Sequence, residues 1–173
     1  MPPDTTVTED PPDWTREVPS RFWDPSRRLL LCVRRYQHWH AKGGLWGALF
    51  RRRWALSHRF WSAITGADVP LNCRLGGGLL IPHPNGVVIH PDAVVGNNCL
   101  LFQQVTIGQQ AGGVPTLGNH VDVGAGAKIL GKVVVGSHVQ VGANAVVLHD
   151  VPSGATVVGI PAKVVNRLKP DAD

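Results

Sequence analysis

From Val69 to Val151 the chain repeats a six-residue pattern. Positions 69, 75 and 81, then 89, 95, 101 and 107, then 117, 123, 129, 135, 141 and 147 are all Val, Leu or Ile. Four residues after most of them comes a second small or aliphatic side chain, as at Cys73, Leu79, Ala93 and Val105. Glycine follows the aliphatic position at 76, 96, 108, 118, 124, 136 and 142. An α-helix cannot use this period, because at about 100° per residue a six-residue step winds the apolar positions around the surface. A continuous strand fails as well, since Gly, Asn and Asp interrupt it at each repeat. Short strand and turn in alternation, with one aliphatic pointing inward each time, satisfies both constraints. Such hexapeptide repeats stack into a parallel β-helix, a mainly β fold with rungs about 4.8 Å apart.

The register slips twice. Two extra residues separate 81 from 89, and four separate 107 from 117. A tightly packed repeat expels its surplus as a loop, and loops on a rigid scaffold commonly carry function. His83 lies at the first slip, within IPHPNG, and residues 109–116 form the second.

Ahead of the repeats the pattern differs. Residues 1–20 hold five prolines and no apolar period, which predicts a disordered or extended arm. Residues 21–66 read as a short α-helical region. Leu29, Val33 and Tyr36 fall at i, i+4 and i+7, Gly43-Gly44 breaks the run, and Trp46, Phe50, Trp54, Trp61 and Ile64 form a second stripe. The β-helix domain is expected over 67–165, with a C-terminal tail over 166–173.

Charge separates the same regions. The net charge is +5, yet ten Lys/Arg and the single acid Asp24 lie between Arg21 and Arg59, and all six tryptophans precede residue 62. Two roles suit such helices: a cap on the open first coil, where an exposed strand edge needs covering, or a weak contact with an anionic membrane surface. No run of about eighteen apolar residues predicts a membrane-spanning helix. The acidic, proline-rich start is unlike a secretory signal. Cys32, Cys73 and Cys99 form no CxxC pair, which points to buried reduced thiols in a cytoplasmic protein. No nucleic-acid partner and no metal are expected, since Cys/His clusters and HExxH are absent, as are the glycine-rich phosphate loops and GxSxG.

Histidine carries the candidate chemistry. His38, His40 and His58 belong to the basic helices, and His90, His120, His138 and His149 occupy turns, where polar residues face solvent. His83 differs: it interrupts the inward pattern between Pro82 and Pro84. Its ring is suited to general-base work near neutral pH. Asp68, fifteen residues upstream and nearly one coil away, is a candidate to orient that ring; capping a turn after Gly66 is its other reading.

NGVVIHPDAVVGNNCLLFQQVTIG, VDVGAGAKILGKVVVG and VVLHDVPSGATVVGIPAKVV carry a family likeness. The segment from Asp68 to Val165 resembles the serine O-acetyltransferases of the hexapeptide-repeat acyltransferase superfamily. The resemblance implies a left-handed β-helix, a homotrimer that in longer members pairs into a dimer of trimers, and acetyl-CoA as co-substrate in a groove between chains. It also implies that His83 deprotonates an acceptor hydroxyl for direct attack on the thioester, with Asp68 as its partner. The coenzyme groove maps onto Gly108, Ala125, Gly126, Ala127, Ala143 and Lys163. The acceptor positions map onto Pro82, Asn85, Gln103 and Val114.

Two of these depart from the family. Where an aspartate usually helps hold serine's amino group stands Pro82, and where an Arg-His pair usually holds its carboxylate stand Gly113 and Val114. A carboxylate losing charge-assisted hydrogen bonds forfeits about 1.5–3 kcal/mol for each. The expectation is an acetyltransferase whose acceptor is not ordinary serine. The competing readings are a serine O-acetyltransferase proper and a non-catalytic β-helix scaffold.

Overall fold

The computed structural model describes residues 11–110 and 112–167, the side chains of 166 and 167 excepted. From Arg74 onward it is a left-handed parallel β-helix with three flat faces. One face stacks Arg74–Leu75, Val94–Val95, Thr116–Leu117 and Val134–Val135. A second stacks Leu100–Leu101, Asp122–Val123, Gln140–Val141 and Ala155–Val158, with Lys163–Arg167 antiparallel at its end. The third stacks Val88–Ile89, Thr106–Gly108, Lys128–Leu130 and Val146–Val147. Twelve of the thirteen predicted aliphatics are buried; Leu75, on the first rung, is half-buried and packs against the same core.

Strand register records the slips. Val88 pairs with Thr106 and Lys128 with Val146, the 18-residue coil of three hexads. Leu80 pairs with Leu100, two residues longer, and Leu100 with Asp122, four longer. Each surplus equals a slip in the sequence. The last coil is two residues short, Val135 pairing with Val151.

The corners hold the coils in line. Where the first face turns into the second, Gly78, Asn98, His120, His138 and Gly154 share the left-handed conformation. Beside them Asn97, Asn119, Ser137 and Ser153 form a ladder, each accepting a hydrogen bond from the backbone N–H one coil earlier, at 2.8–3.2 Å. The donors lie inside the stack, so these side chains satisfy groups that would otherwise be costly to desolvate. His120 and His138 occupy turns, as expected, with their rings stacked 4.9 Å apart.

Both ends of the core are covered. α1 (Pro25–Lys42) starts with proline in its first turn and lays Leu29, Leu30 and Val33 on the first coil. α2 (Gly44–Thr65) folds back along α1 after Gly43 and ends at Gly66, which is left-handed at φ 65°. The predicted stripe on α2 does not become a core face. Phe50 stacks on Trp39 and Trp61 meets Trp23, but Trp46 is 71% exposed and Ile64 46%. The reason is layer order: α1 takes most of the place against the solenoid, and α2 reaches it only near its C-terminal end, where Trp61 packs on the core and His58 Nε2 lies 2.8 Å from the Val69 carbonyl.

The expected arm over 1–20 differs in its described part, and residues 1–10 lie outside it. Residues 14–17 make a 3-10 turn, and Glu17 is buried. Arg34 of α1 donates to both Glu17 carboxylate oxygens, at 2.9 and 2.7 Å, and to the carbonyls of Leu75 and Gly76, both at 2.6 Å. Composition could not reveal this because the partners lie far along the chain. At the other end the strand runs on to Arg167, two residues into the expected tail; 168–173 lie outside the described residues.

Removing one side of this clamp strands a half-buried guanidinium. Glu17→Ala is expected to cost roughly 3 kcal/mol, a Tm drop of about 6–12 °C for a chain of this size. A drop under about 2 °C in thermal unfolding would show that the turn contributes little.

Candidate active site

The first surplus pair is expelled between two fixed points. Leu80 is in register with Leu100, and Gln104 N–H donates to the Asn85 carbonyl at 2.9 Å. Residues 81–84 therefore hold the two extra positions, and His83 is among them. Its flanking prolines restrict the backbone, and its side chain is exposed. The loop is tied to the helices around it. Ser26 Oγ donates to the Ile81 carbonyl at 2.5 Å, and Gly86 N–H donates to the Gly66 carbonyl at 2.9 Å.

These ties border an open cavity of about 430 Å³. Pro82, His83 and Asn85 line it from the loop, Asp24 and Ser26 from the start of α1, and Ile64 and Thr65 from the end of α2. Burial alone would raise the Asp24 pKa, but hydrogen bonds from Ser20 N–H and Arg27 outweigh it and hold the carboxyl below its ordinary range. Arg27 lies 3.2 Å from Asp24 Oδ2. The sequence reading missed Asp24, Ser26 and Thr65. The one available signal was the single acid in a basic segment, standing just before a helix-starting proline.

Above Asn85 the corner between the second and third faces forms a column. Asn85, Gln103, Ala125 and Ala143 occupy equivalent turn positions in successive coils. Backbone bonds from Gln104 to Asn85, Gly126 to Gln103 and Asn144 to Ala125, at 2.8–2.9 Å, hold them in register. Three rungs at about 4.8 Å give roughly 14 Å from Asn85 to Ala143. The column narrows from amides to methyls. Gly126 is left-handed, at φ 73°, and a β-carbon there would sit 2.1 Å from Asn144 Oδ1. Gln103 Oε1 is buried without a hydrogen-bond partner among the described residues. Such an atom costs about 1–3 kcal/mol unless something donates to it. Lys163 is exposed and pairs with Val158, which packs beside Gly142 at the column's far end.

The structure thus brings Pro82, His83, Asn85, Gln103, Ala125, Gly126, Ala143 and Lys163 along one corner. It does not do so for the rest. Ala127 faces the core at 0% exposure, with its N–H bonded to Gly124 and its carbonyl to Thr106. It has nothing left to offer a ligand, because it is the inward residue of its turn. Gly108 ends its strand on the third face, away from this corner. Val114 lies on a different corner, in the second loop, which closes on itself through Gln110 and Gly113 and leans on Lys132.

Asp68 is a near neighbour of the loop in backbone terms: its N–H donates to Val87 at 2.8 Å and its carbonyl accepts from Ile89 at 2.9 Å. Among the described residues no hydrogen bond or ion pair joins its exposed carboxylate to the His83 ring. The predicted contact is not made because the loop carries His83 toward the cavity under α1 and α2, while Asp68 stands in the first rung. Among the described residues no group of three or more His, Cys, Asp or Glu is placed to hold a metal ion.

No protein-family model matches the chain. It is 42% identical over 151 residues to a serine acetyltransferase of Synechococcus elongatus, covering 83% of this chain and 58% of that protein. A serine acetyltransferase of Helicobacter pylori is 40% identical over 151 residues, covering 83% of this chain and 82% of the relative. Among solved structures, a Brucella abortus serine acetyltransferase in complex with coenzyme A superposes with a TM-score of 0.70 at 32% identity, covering 87% of this chain and 62% of that one. The chain thus spans about three fifths of some relatives and most of another.

The column's register depends on the left-handed turn at Gly126. Gly126→Val forces a β-branched side chain into that conformation and against Asn144, and is expected to lower stability by about 1–3 kcal/mol, read by denaturant unfolding. An unchanged midpoint would mean that this corner tolerates distortion and does not fix its neighbours.

Proposed function

The chain belongs to the serine acetyltransferase family of left-handed β-helices, and from that premise we propose that it transfers an acetyl group from acetyl-CoA to a hydroxyl of a small acceptor other than serine. The observation that carries this is the single corner on which an exposed histidine, a cavity and a column of shrinking side chains meet. Ala125, Gly126 and Ala143 leave room for a long, flexible donor to lie against backbone. Gln103 Oε1 awaits an N–H or O–H donor. Lys163 suits a coenzyme phosphate at the far end.

Acetyl-CoA supplies an activated thioester carbonyl and a thiol leaving group. His83 takes the acceptor's hydroxyl proton as the new C–O bond forms and the C–S bond breaks, then returns that proton to the departing sulfur. Asp68, held beside the loop by its backbone bonds to Val87 and Ile89, is the carboxylate we propose to favour the imidazolium. General-base assistance of this kind contributes about 10²–10⁴ in rate. Gly108 and Val114 lie away from the His83 corner of their own chain. A homotrimer brings another chain's second loop toward that corner, which is the assembly we infer.

Electrostatics favours a changed acceptor. Pro82 and Val114 carry no charge, and Asp24 contributes a carboxylate to the cavity while engaging Arg27. The residues that line the cavity include no lysine or arginine, so an acceptor carboxylate finds no fixed cation there, whereas a hydroxyl-rich sugar or amino sugar needs none. The test follows thiol release from acetyl-CoA with serine, homoserine, sugars and amino sugars. A sugar-type acceptor should be preferred, and serine turnover at the efficiency of an ordinary serine enzyme contradicts the proposal. His83→Ala should lower kcat by about 10²–10⁴ with Tm unchanged. Undiminished turnover removes His83 as the base, and no thiol release with any acceptor favours a non-catalytic scaffold.

A further inference from the structure

α2 leaves an apolar face open that neither the solenoid nor α1 covers. Leu45 is 90% exposed, Leu49 57%, Leu56 65% and Phe60 53%, beside Trp46 and Ile64. At 100° per residue, Leu45, Leu49, Leu56 and Phe60 fall within about 60° of one another, and Trp46 and Ile64 lie about 40° beyond. Arg52 and Arg59 border one side of this stripe, and Arg53 lies within the other. Phe22 and Trp23, 85% and 58% exposed, add aromatic surface at the start of α1. A contiguous exposed stripe on this scale marks an interaction surface.

Charge selects the occupant. Neither helix contains a single Asp or Glu. A second copy laid face to face on α2 would set arginines against arginines with no carboxylate on either helix to pair them. A surface that offers apolar depth and negative charge together has no such conflict. We propose that α2 docks in the plane of an anionic lipid surface, its stripe in the acyl boundary and its arginines at the headgroups. Among the described residues no helix is long and apolar enough to cross a membrane, which suits a helix that lies along the surface. The stripe ends at Ile64, which also lines the cavity beside His83, so docking holds that cavity near the lipid boundary.

The test is flotation of the full chain with vesicles of phosphatidylcholine, with and without phosphatidylserine. The chain should float with the anionic vesicles and remain behind with the neutral ones. Arg52→Ser with Arg53→Ser should weaken the partition by roughly fivefold per arginine. Leu49→Glu with Leu56→Glu should abolish it while the circular dichroism spectrum and Tm stay unchanged. Equal behaviour with both vesicle types, or no flotation, overturns the proposal. So does a Glu double variant that still floats but sediments as a smaller assembly, which would make this face a contact between copies.

Discussion

One constraint governs this molecule: each hexad must turn one aliphatic side chain inward, and three hexads must close one coil. Val69, Ile89, Ile107, Ile129 and Val147 lie in the core at 0–1% exposure. Burying such side chains is worth about 1.5–3 kcal/mol each relative to leaving them exposed, and moving the register by one residue would turn each of them outward. The chain therefore cannot absorb surplus residues inside a coil. It ejects them at corners, and the corners stay aligned because the strands between them do. The candidate site is a product of that alignment: His83 is expelled, while Asn85, Gln103, Ala125 and Ala143 remain in register beside it.

A solenoid also has ends, and these shape the site as much as the repeat does. At the last coil the chain turns back as an antiparallel strand and covers the open edge, with Lys163 at its start. At the first coil α1 does so, fixed by the Glu17–Arg34 pair and by Gln37 donating to the Leu71 and Cys73 carbonyls at 3.0 Å. Because α1 begins beside the His83 loop, the cap supplies one wall of the cavity through Asp24 and Ser26. Capping the solenoid and walling the candidate site are thus joined in one element. Burial in the same region raises the Cys73 pKa to about 11, so this thiol is a protonated packing group at neutral pH.

Much of this was legible in the sequence, for a physical reason. A hexad is a local rule, so the inward positions, the turns and the two slips all appear as spacing. The pairing of Leu80 with Leu100, and of Leu100 with Asp122, reproduces those slips residue for residue. What stayed hidden depends on contacts distant in sequence. Glu17 meets Arg34 and Leu79, Ser26 meets the His83 loop, and α1 supplies more of the core than the aromatic-rich α2 does; no local pattern encodes any of these. Ala127 shows the opposite case: a small side chain suits contact with a ligand, and the same smallness marks the inward position of a turn, where the structure buries it. The Asp68–His83 spacing gave proximity of backbone but not contact of side chains.

The central claim is that the corner column receives the acetyl donor. Calorimetric titration with coenzyme A tests it most directly, comparing the unaltered chain with Ala143→Trp, a change at an exposed position. The column account predicts binding by the unaltered chain and a loss of at least about tenfold in the variant, some 1.4 kcal/mol, with Tm unchanged. Equal affinity in the two proteins would place the donor elsewhere and contradict the account.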